Sequence, residues 1–588
     1  VLTGGPAPRV PHATLIDALA AVSGRASAVL LDGQEQEHAL RWELVYTRAR
    51  RLAAALAREG VRAGDRVILV LPTGVDFLDA FFGTLVLGAV PVPLYPPVRL
   101  GRLEEYHAAT ARMISAVGGR IVLTDARVSR LLGVALERAR PPLGLRQVAE
   151  LLAEVGTEEL EPAGRAEDLA LIQFSSGSTV DPKPVMLTHT NVLSQCAMVS
   201  ALIPEPGNPD AAGVSWLPLY HDMGLIGGLL TAVYHGGNIV LVPPEQFLAR
   251  PGVWLRALSR HRAIISPAPN FAYAVAAQRV TDAELEGVDL SAWRFALCGA
   301  EPVSPAVMRR FAERFGRFGF DARALMPVYG LAEAALAVTF TRPGPLSTVS
   351  VDAETFAREG VVRAGDRELV SVGTPVPGVA VEVRDADGAP LDPGVVGHVH
   401  VRGPAIMRGY FGRPDATAAV LSADGWLDTG DLGFVFGGEL YISGRAKDVI
   451  AVRGAKRAPQ EVEEVLDHLA GVRPGCAVAV GYQPADADGE ALLLLVEKKR
   501  PTELDDTMLA RHVRDAVLAA SGLRAHHVEI LEPGTLPRTS SGKLRRSEAC
   551  ARFLAGTLSA PEKVGALTLA RELARSTLAK LRHGPGAG

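Results

Sequence analysis

The first half of the chain alternates short apolar, β-branched runs with longer stretches of helical spacing. RVILVL (66–71) reads as a strand, and the residues after it, through about 88, as a helix. Further strands are predicted at IVLT (121–124), LALIQF (169–174), NIVLV (238–242), AIISPA (263–268), FALC (295–298) and LMPVY (325–329). Helical patterns separate most of them, which predicts stacked βα units and largely parallel sheets. Several runs are apolar at every position, as strands covered on both faces are.

Near residue 370 the texture changes. VAVEVRDADGAPL carries a D-A-D-G turn between strands, and GHVHVRG and ELYISG continue the β character, so 370–443 reads as a smaller, mostly antiparallel β subdomain. After GRAKD (444–448) the pattern returns to α+β, with a helix at 460–469, strands at 476–481 and 491–497, and a helix at about 505–520. Residues 561–588 read as one amphipathic helix with a Gly/Pro-rich end. The expected fold class is α/β. A large N-terminal domain of stacked αβ sheets (1–443) carries the β subdomain, a small mobile α+β C-terminal domain (444–560) follows, and a helical tail (561–588) ends the chain.

Composition narrows the choice of function. At about 150 residues per domain, 588 residues hold several cores, and 48% hydrophobic with 21% charged is ordinary globular usage. Disordered, collagen-like and disulfide-stapled chains are excluded. Lys+Arg 61 against Asp+Glu 65 leaves a net charge of -4, which advertises no nucleic-acid partner. Cys196, Cys298, Cys476 and Cys550 lie far apart without a CxxC pair, so four free thiols in a reducing compartment fit better than a disulfide or zinc site. Two long uncharged stretches are broken by Pro91, Pro93, Pro96 and Pro97 in one and by HGGN (235–238) in the other, so no transmembrane segment is expected. With no basic start leading into an apolar core either, the expected location is cytoplasmic.

Five segments can carry chemistry. In FSSGSTVDPKPVMLTH (174–189) a strand enters Ser175, Ser176, Gly177, Ser178 and Thr179, small residues whose backbone N–H groups and hydroxyls can converge on an anion, with Lys183 as a nearby point charge. A flexible Ser/Gly loop would look the same. Pro182 and Pro184 hold the places where a Walker A loop needs Gly and Ser or Thr. In VYGLAEAAL (328–336), Tyr329 and Gly330 end a strand and Glu333 falls in the first helical turn after it. There it can hold Mg²⁺ against a polyphosphate or simply complement a helix N-terminus. WLDTGDLG (426–433) fixes Asp428 and Asp431 in a turn, suited to ribose hydroxyls or to the turn itself. GRAKD places Arg445 and Lys447 at the change of texture, as a hinge or a solvated charge run. LPRTSSGKLRR (536–546) presents Lys543 on a Pro/Ser/Gly loop, deliverable to a reacting phosphate or merely solvated.

Together, FSSGST, WLPLYHDMGL, LCGAEPV, YGLAEA, TGDLG, GRAKD and PRTSSGK resemble, in order and spacing, the motif series of the adenylate-forming superfamily of acyl ligases over roughly residues 12–555. Within it the chain is most similar to the fatty acyl-AMP ligases, through WLPLYHDMGLIGGLL (216–230), SPAPNFAYAV (266–275) and GAEPVSP (299–305). The 40 residues from Glu333 to Gly373 leave room for that branch's extra segment. The resemblance implies ATP-dependent activation of a fatty acid to an acyl-adenylate with release of pyrophosphate. Transfer to the phosphopantetheine thiol of an acyl carrier protein follows, commonly for a polyketide or lipopeptide synthase. The alternatives are a fatty acyl-CoA ligase of the same fold and a weak acyl- or nucleotide-binding homologue. No GxSxG turn supports a hydrolase.

The resemblance also implies roles. ATP and Mg²⁺ would be held by Ser175–Thr179, Lys183 and Glu333, with Asp431 and Arg445 at the ribose. Gly299, Ala300, Glu301, Tyr329 and Gly330 would form the adenine slot. His221 would lie beside the reacting carboxylate, and Trp216, Met223, Ile226 and Phe271 would line the acyl pocket. Gly444, beside Arg445, would be the hinge that lets Lys543 reach the α-phosphate, and loss of Lys543 would slow adenylation by orders of magnitude with the fold intact. Val180 and Pro184 stand where the family has glycine, which predicts a stiffer loop or slow turnover. Cys298 replaces an Asn and is expected to cost an adenine-side contact.

Overall fold

The computed structural model describes residues 1–588 except 25, 98–99, 176–181, 204–211, 453–454, 485–489, 502–503, 540–541, 562–572 and 578–588. The βα alternation builds two sheets with parallel cores. In the nine-stranded sheet, Leu325–Gly330, Phe295–Cys298, Ile265–Ala268, Ala212–Ser215, Asn238–Leu241 and Ser27–Leu31 run parallel in that order, and antiparallel strands close both edges. The four-stranded sheet, Val90–Leu94, Arg66–Val70, Ile121–Thr124 and Leu145–Gln147, is parallel throughout. Val90–Leu94 and Ile121–Thr124 are buried at every position, which is why they read as unbroken apolar runs. Helices Trp42–Arg58 and Val75–Val86 pack closely because Gly83 meets Leu52 where a Cβ would stand only 2.9 Å from the Leu52 Cβ.

LALIQF departs from the expected parallel pairing. Leu169–Phe174 pairs antiparallel with Pro184–Thr188, and Gly409–Tyr410 adds a third antiparallel strand. Only the short loop 175–183 joins the first two strands, and a parallel crossover needs a dozen or more residues. The segment 223–244 begins as a π-helix, Met223–Leu230, runs into Thr231–His235, and turns into the strand Asn238–Leu241. Helix, turn and strand were legible in it, but the π geometry was not. Among the described residues no helix is long and apolar enough to cross a membrane, and all four cysteines are free thiols.

The β-rich region forms a five-stranded antiparallel sheet of Ala380–Arg384, Gly397–Arg402, Leu427–Phe436 and Glu439–Arg445, extended by the N-terminal Leu2–Thr3. Between Glu333 and Gly373 lie a hairpin, Thr348–Val351 with Arg367–Val370, and a helix, Ala353–Glu359. Arg367 from that hairpin forms a 3.1 Å ion pair with Glu461 of helix Pro459–Asp467. Beyond it, Val472–Tyr482, Ala491–Lys498 and Ala525–Leu531 form a separate sheet, with helices Pro459–Asp467 and Asp506–Ser521 near their expected positions. Leu492, Leu494 and Val496 face Val462 and Val513 on one side of this sheet, while Leu493 and Leu495 face Leu536 and Ala549 on the other.

Most of the expected tail helix lies outside the described residues. Residues 573–577 are helical and sit on the large domain. Ser576 is 1% exposed, its Oγ accepts the Gly133 N–H at 2.9 Å, and Arg575 lies 3.4 Å from Glu104. A Cβ on Gly133 would come within 2.0 Å of the Ser576 carbonyl oxygen. Gly133 opens helix Gly133–Ala139, where alanine is intrinsically better by up to about 1 kcal/mol. Gly133→Ala is therefore expected to release the tail without lowering the melting temperature. Limited proteolysis should then cut at 573–577 several-fold faster than in the wild type, and equal rates would contradict the packing.

Candidate active site

Tyr329, Gly330, Asp431 and Arg445 lie at or near the ends of strands or in the turns beside them. Leu325–Gly330 finishes at Tyr329 and Gly330, and the Tyr329 hydroxyl donates to Asp431 Oδ2 at 2.7 Å. Asp431 stands opposite Arg445 in the antiparallel ladder Leu427–Phe436/Glu439–Arg445, with Arg445 Nε 3.3 Å from its Oδ1. The turn before it is built as D-T-G requires. Asp428 Oδ1 accepts the Gly430 N–H at 2.9 Å, Gly430 has φ +72°, and Thr429 Oγ1 accepts the Asp431 N–H at 3.1 Å. Burial pushes the Asp431 carboxyl up, and the Arg445 charge only partly offsets this.

Glu333 was expected in the first turn of a helix. That reading is corrected: Ala332–Ala334 makes a single 3₁₀ turn and the chain returns at once as strand Ala337–Phe340. The fold-back is tight, since a Cβ on Gly330 would lie 1.8 Å from the Leu336 carbonyl oxygen. Glu333 is half-buried, desolvation raises its carboxyl pKa, and Oε1 accepts the Tyr410 hydroxyl at 2.9 Å. The Lys183 ammonium sits 4.6 Å above the Tyr410 ring. Tyr410 went unnoticed in the sequence because MRGYFG carries no chemical pattern. It arrives through register, Gly409–Tyr410 lying beside Met186 and Val185.

Ser175 and Lys183 close the neck of the small-residue loop: the Ser175 N–H donates to the Lys183 carbonyl at 2.9 Å, and the Lys183 N–H to Ser175 Oγ at 3.2 Å. Ser176, Gly177, Ser178, Thr179 and Val180 lie outside the described residues. Pro184 is the first residue of its strand, a position where proline is tolerated. Gly299 lies against Val328, whose carbonyl oxygen would be 2.9 Å from a Cβ there, and Ala300 holds φ +67°. Glu301 is buried and its carboxyl is pushed up, although Oε1 accepts the Phe271 N–H at 2.5 Å. Cys298 is buried at the end of its strand.

Lys543 comes from the C-terminal part of the chain yet ends inside this cluster. Its loop is pinned by the Thr539 N–H donating to the Lys543 carbonyl at 2.8 Å and by the Lys543 N–H donating to Thr539 Oγ1 at 3.0 Å. Arg546, three residues on, grips Glu463 through bonds of 2.7 and 2.6 Å. Desolvation pushes the ammonium below its ordinary pKa, while Asp222, Glu301 and Asp431 pull it back up and Arg445 opposes them. Lys543 is half-buried rather than fully solvated.

His221 and Asp222 precede the π-helix. His221 Nδ1 lies 2.6 Å from Asp222 Oδ1, which also accepts the Met223 N–H at 2.7 Å. Trp216 stacks on Phe247 at 3.8 Å and meets Phe271 edge-on at 6.0 Å. Met223 belongs to the same apolar cluster, whereas Ile226 packs into the main core with Leu225 and Leu229. Gly444, with φ +152°, pairs with Leu432 in the last part of its strand, ahead of the turn 446–448.

The structure therefore gathers Tyr329, Asp431, Arg445 and Lys543 into one charged group and Glu333, Tyr410 and Lys183 into another. Asp222 and Arg445 act electrostatically on Glu333, linking the two groups. A large αβ domain followed by a small α+β one, with these motifs brought together between them, is the architecture of the adenylate-forming ligases. The AMP-binding enzyme family model matches residues 17–411, and the chain belongs to that family. A Caulobacter vibrioides protein bearing the name acyl-CoA synthetase is 35% identical over 88% of this chain and 92% of its own length. The medium-chain-fatty-acid–[acyl-carrier-protein] ligase JamA of Moorena producens is 32% identical over 91% of this chain and 93% of its own. A solved structure from work on the fatty acyl-adenylate ligases of E. coli and L. pneumophila superposes with a TM-score of 0.87, at 32% identity, over 94% of this chain and 99% of that one. The resemblance to fatty acyl-AMP ligases read from the motifs stands, as does the two-domain α/β fold.

The raised pKa of Glu333 has a sign that can be checked. Burial favours its neutral form, so the fold loses stability as pH rises through the carboxylate range. Glu333→Gln keeps an acceptor for Tyr410 and removes the charge. Its ligand-free melting temperature should exceed the wild type's at neutral pH, the gap closing toward pH 4. A variant less stable at neutral pH would show that Glu333 is already well compensated.

Proposed function

We propose that the chain activates a fatty acid with ATP to an acyl-adenylate, releasing pyrophosphate, and passes the acyl group to the phosphopantetheine thiol of an acyl carrier protein. The observation that supports this reading is the placement of Lys543, half-buried on its pinned loop, within electrostatic reach of Asp222, Glu301, Asp431 and Arg445. A carboxylate attacking the α-phosphorus of ATP brings two anions together, and a fixed cation there stabilises charge that grows in the transition state. Asp431, bonded by Tyr329 and Arg445, would take the ribose hydroxyls. Gly299, Ala300 and Glu301 would border the adenine with Tyr329 and Gly330. Lys183 and the loop from Ser175 would cradle the phosphates, and the Trp216–Met223–Phe271 cluster would border the acyl chain, with Ile226 behind it.

Glu333 fits Mg²⁺. Its carboxylate is half-buried and Oε1 accepts the Tyr410 hydroxyl, a hard oxygen ligand of the kind Mg²⁺ takes. Mg²⁺ on a nucleotide ordinarily takes one or two protein carboxylates and leaves the rest to phosphate and water. When bound it would neutralise the departing pyrophosphate.

Transfer to a second substrate needs Lys543 withdrawn, and the turn about Gly444–Arg445 is where the small domain would swing. The Arg367–Glu461 ion pair supports a brake on that swing, since it ties the segment between Glu333 and Gly373 to helix Pro459–Asp467. A brake favours a tethered carrier over free CoA. The similarity to the Caulobacter protein supports the second reading, a fatty acyl-CoA ligase.

Trapping with hydroxylamine across a chain-length panel, with CoA or a phosphopantetheinylated carrier protein added in parallel, decides. The expected result is a fatty hydroxamate from ATP and acid alone, with thioester only on the carrier. Thioester on CoA at a comparable rate selects the second reading, and no hydroxamate at any chain length overturns both.

A further inference from the structure

Asp222 has so far entered only through its charge, yet it touches the one histidine placed beside the reacting carboxylate. The two side chains are about as buried as each other, 11% exposed for His221 and 13% for Asp222. A carboxylate oxygen 2.6 Å from an imidazole nitrogen requires a proton on that nitrogen, so Nδ1–H of His221 donates to Asp222 Oδ1. The same oxygen accepts the Met223 N–H at 2.7 Å, which anchors Asp222 at the start of the π-helix Met223–Leu230. The Met223 N–H is 3.4 Å from His221 Nδ1, a far poorer bond, and does not compete. The backbone holds the pair from both sides: the His221 N–H donates to the Pro218 carbonyl at 3.1 Å and the His221 carbonyl accepts the Leu225 N–H at 2.8 Å. The other ring nitrogen, Nε2, is buried and has no hydrogen-bond partner among the described residues. A buried polar atom left without a partner is costly unless a ligand completes it.

We propose that Asp222 is a positioning residue for the acyl substrate: it fixes His221 with the proton on Nδ1 and turns Nε2 toward the fatty-acid carboxylate. This rests on the adenylation reading. With Nδ1–H given to Asp222, Nε2 presents its lone pair to the carboxyl proton of the fatty acid, and the Asp222 carboxylate balances the ring as that proton is shared. Asp222 is thus a partner behind the contact, as a carboxylate behind a ligating histidine is, where losses of about 10–100-fold follow removal. Glycines pack the start of the π-helix against this turn, a Cβ on Gly224 lying 2.3 Å from the Pro218 carbonyl oxygen, so the dyad has little room to relax.

Asp222→Asn keeps the shape and the cap on Met223 and removes the charge that holds the tautomer. Steady-state pyrophosphate release should show kcat/KM for the fatty acid falling about tenfold or more, with KM for ATP within about twofold, and Asp222→Glu should recover part of the loss. The double variant His221→Ala/Asp222→Asn should be no slower than His221→Ala alone, because the aspartate acts through the ring. In the wild type, ¹⁵N-histidine NMR with His221 assigned from its absence in His221→Ala should report a protonated Nδ1. An unprotonated Nδ1, or single-variant losses that multiply in the double variant, overturns the proposal; the second result would place Asp222 with Lys543 instead. A wild type that releases no pyrophosphate with any fatty acid fails the adenylation reading itself, a result distinguishable from both.

Discussion

A half-buried ammonium within electrostatic reach of several desolvated carboxylates is the constraint around which the rest of this protein is arranged. Lys543 is pushed below its ordinary pKa by desolvation, while burial pushes Glu301, Glu333 and Asp431 above theirs. Each group taken alone is unfavourable where it stands. Brought together they offset one another only in part. Groups aimed in advance at charge that will arrive need no reorganisation when it does, which is the main way a protein lowers the barrier to such a reaction.

The way Lys543 is held decides how it can move. Its loop is fastened within the C-terminal part of the chain: Arg538 bonds the Gly542 carbonyl at 2.7 Å, Arg546 clamps Glu463, and Glu463 in turn accepts the Ala479 N–H at 3.0 Å. The lysine is therefore fastened to the small sheet rather than carried on a free loop. Contacts across to the large domain are polar and few in kind, Arg102 to the Thr535 carbonyl, Arg552 to Glu105 and Arg367 to Glu461 among them. Such exposed or half-exposed ion pairs contribute little each, so the closed arrangement is held by the sum of small terms and by what the cleft contains.

The parallel sheets were legible because their strands are apolar throughout, and the site residues because their motifs end strands or fill turns. Asp431 and Glu333 could be picked by position, but the bond from Tyr329 to Asp431 spans 102 residues and depends on sheet register, which no local pattern encodes. Tyr410 was invisible for the same reason. The antiparallel pairing of Leu169–Phe174 was missed because an apolar run does not reveal the direction of its neighbour, although the nine-residue loop after it did. Asp222 stood in plain view beside His221. What hid it was that an acid next to a histidine in sequence says nothing until the turn places one behind the other.

The central claim is that the cleft joins a lipid carboxylate to the α-phosphate of ATP reversibly. Exchange of labelled pyrophosphate into ATP, followed with and without a fatty acid, tests it most directly. Exchange should appear only when the acid is present and saturate with it; exchange that is absent, or that proceeds equally without any acid, would show that no acyl-adenylate forms in the cleft.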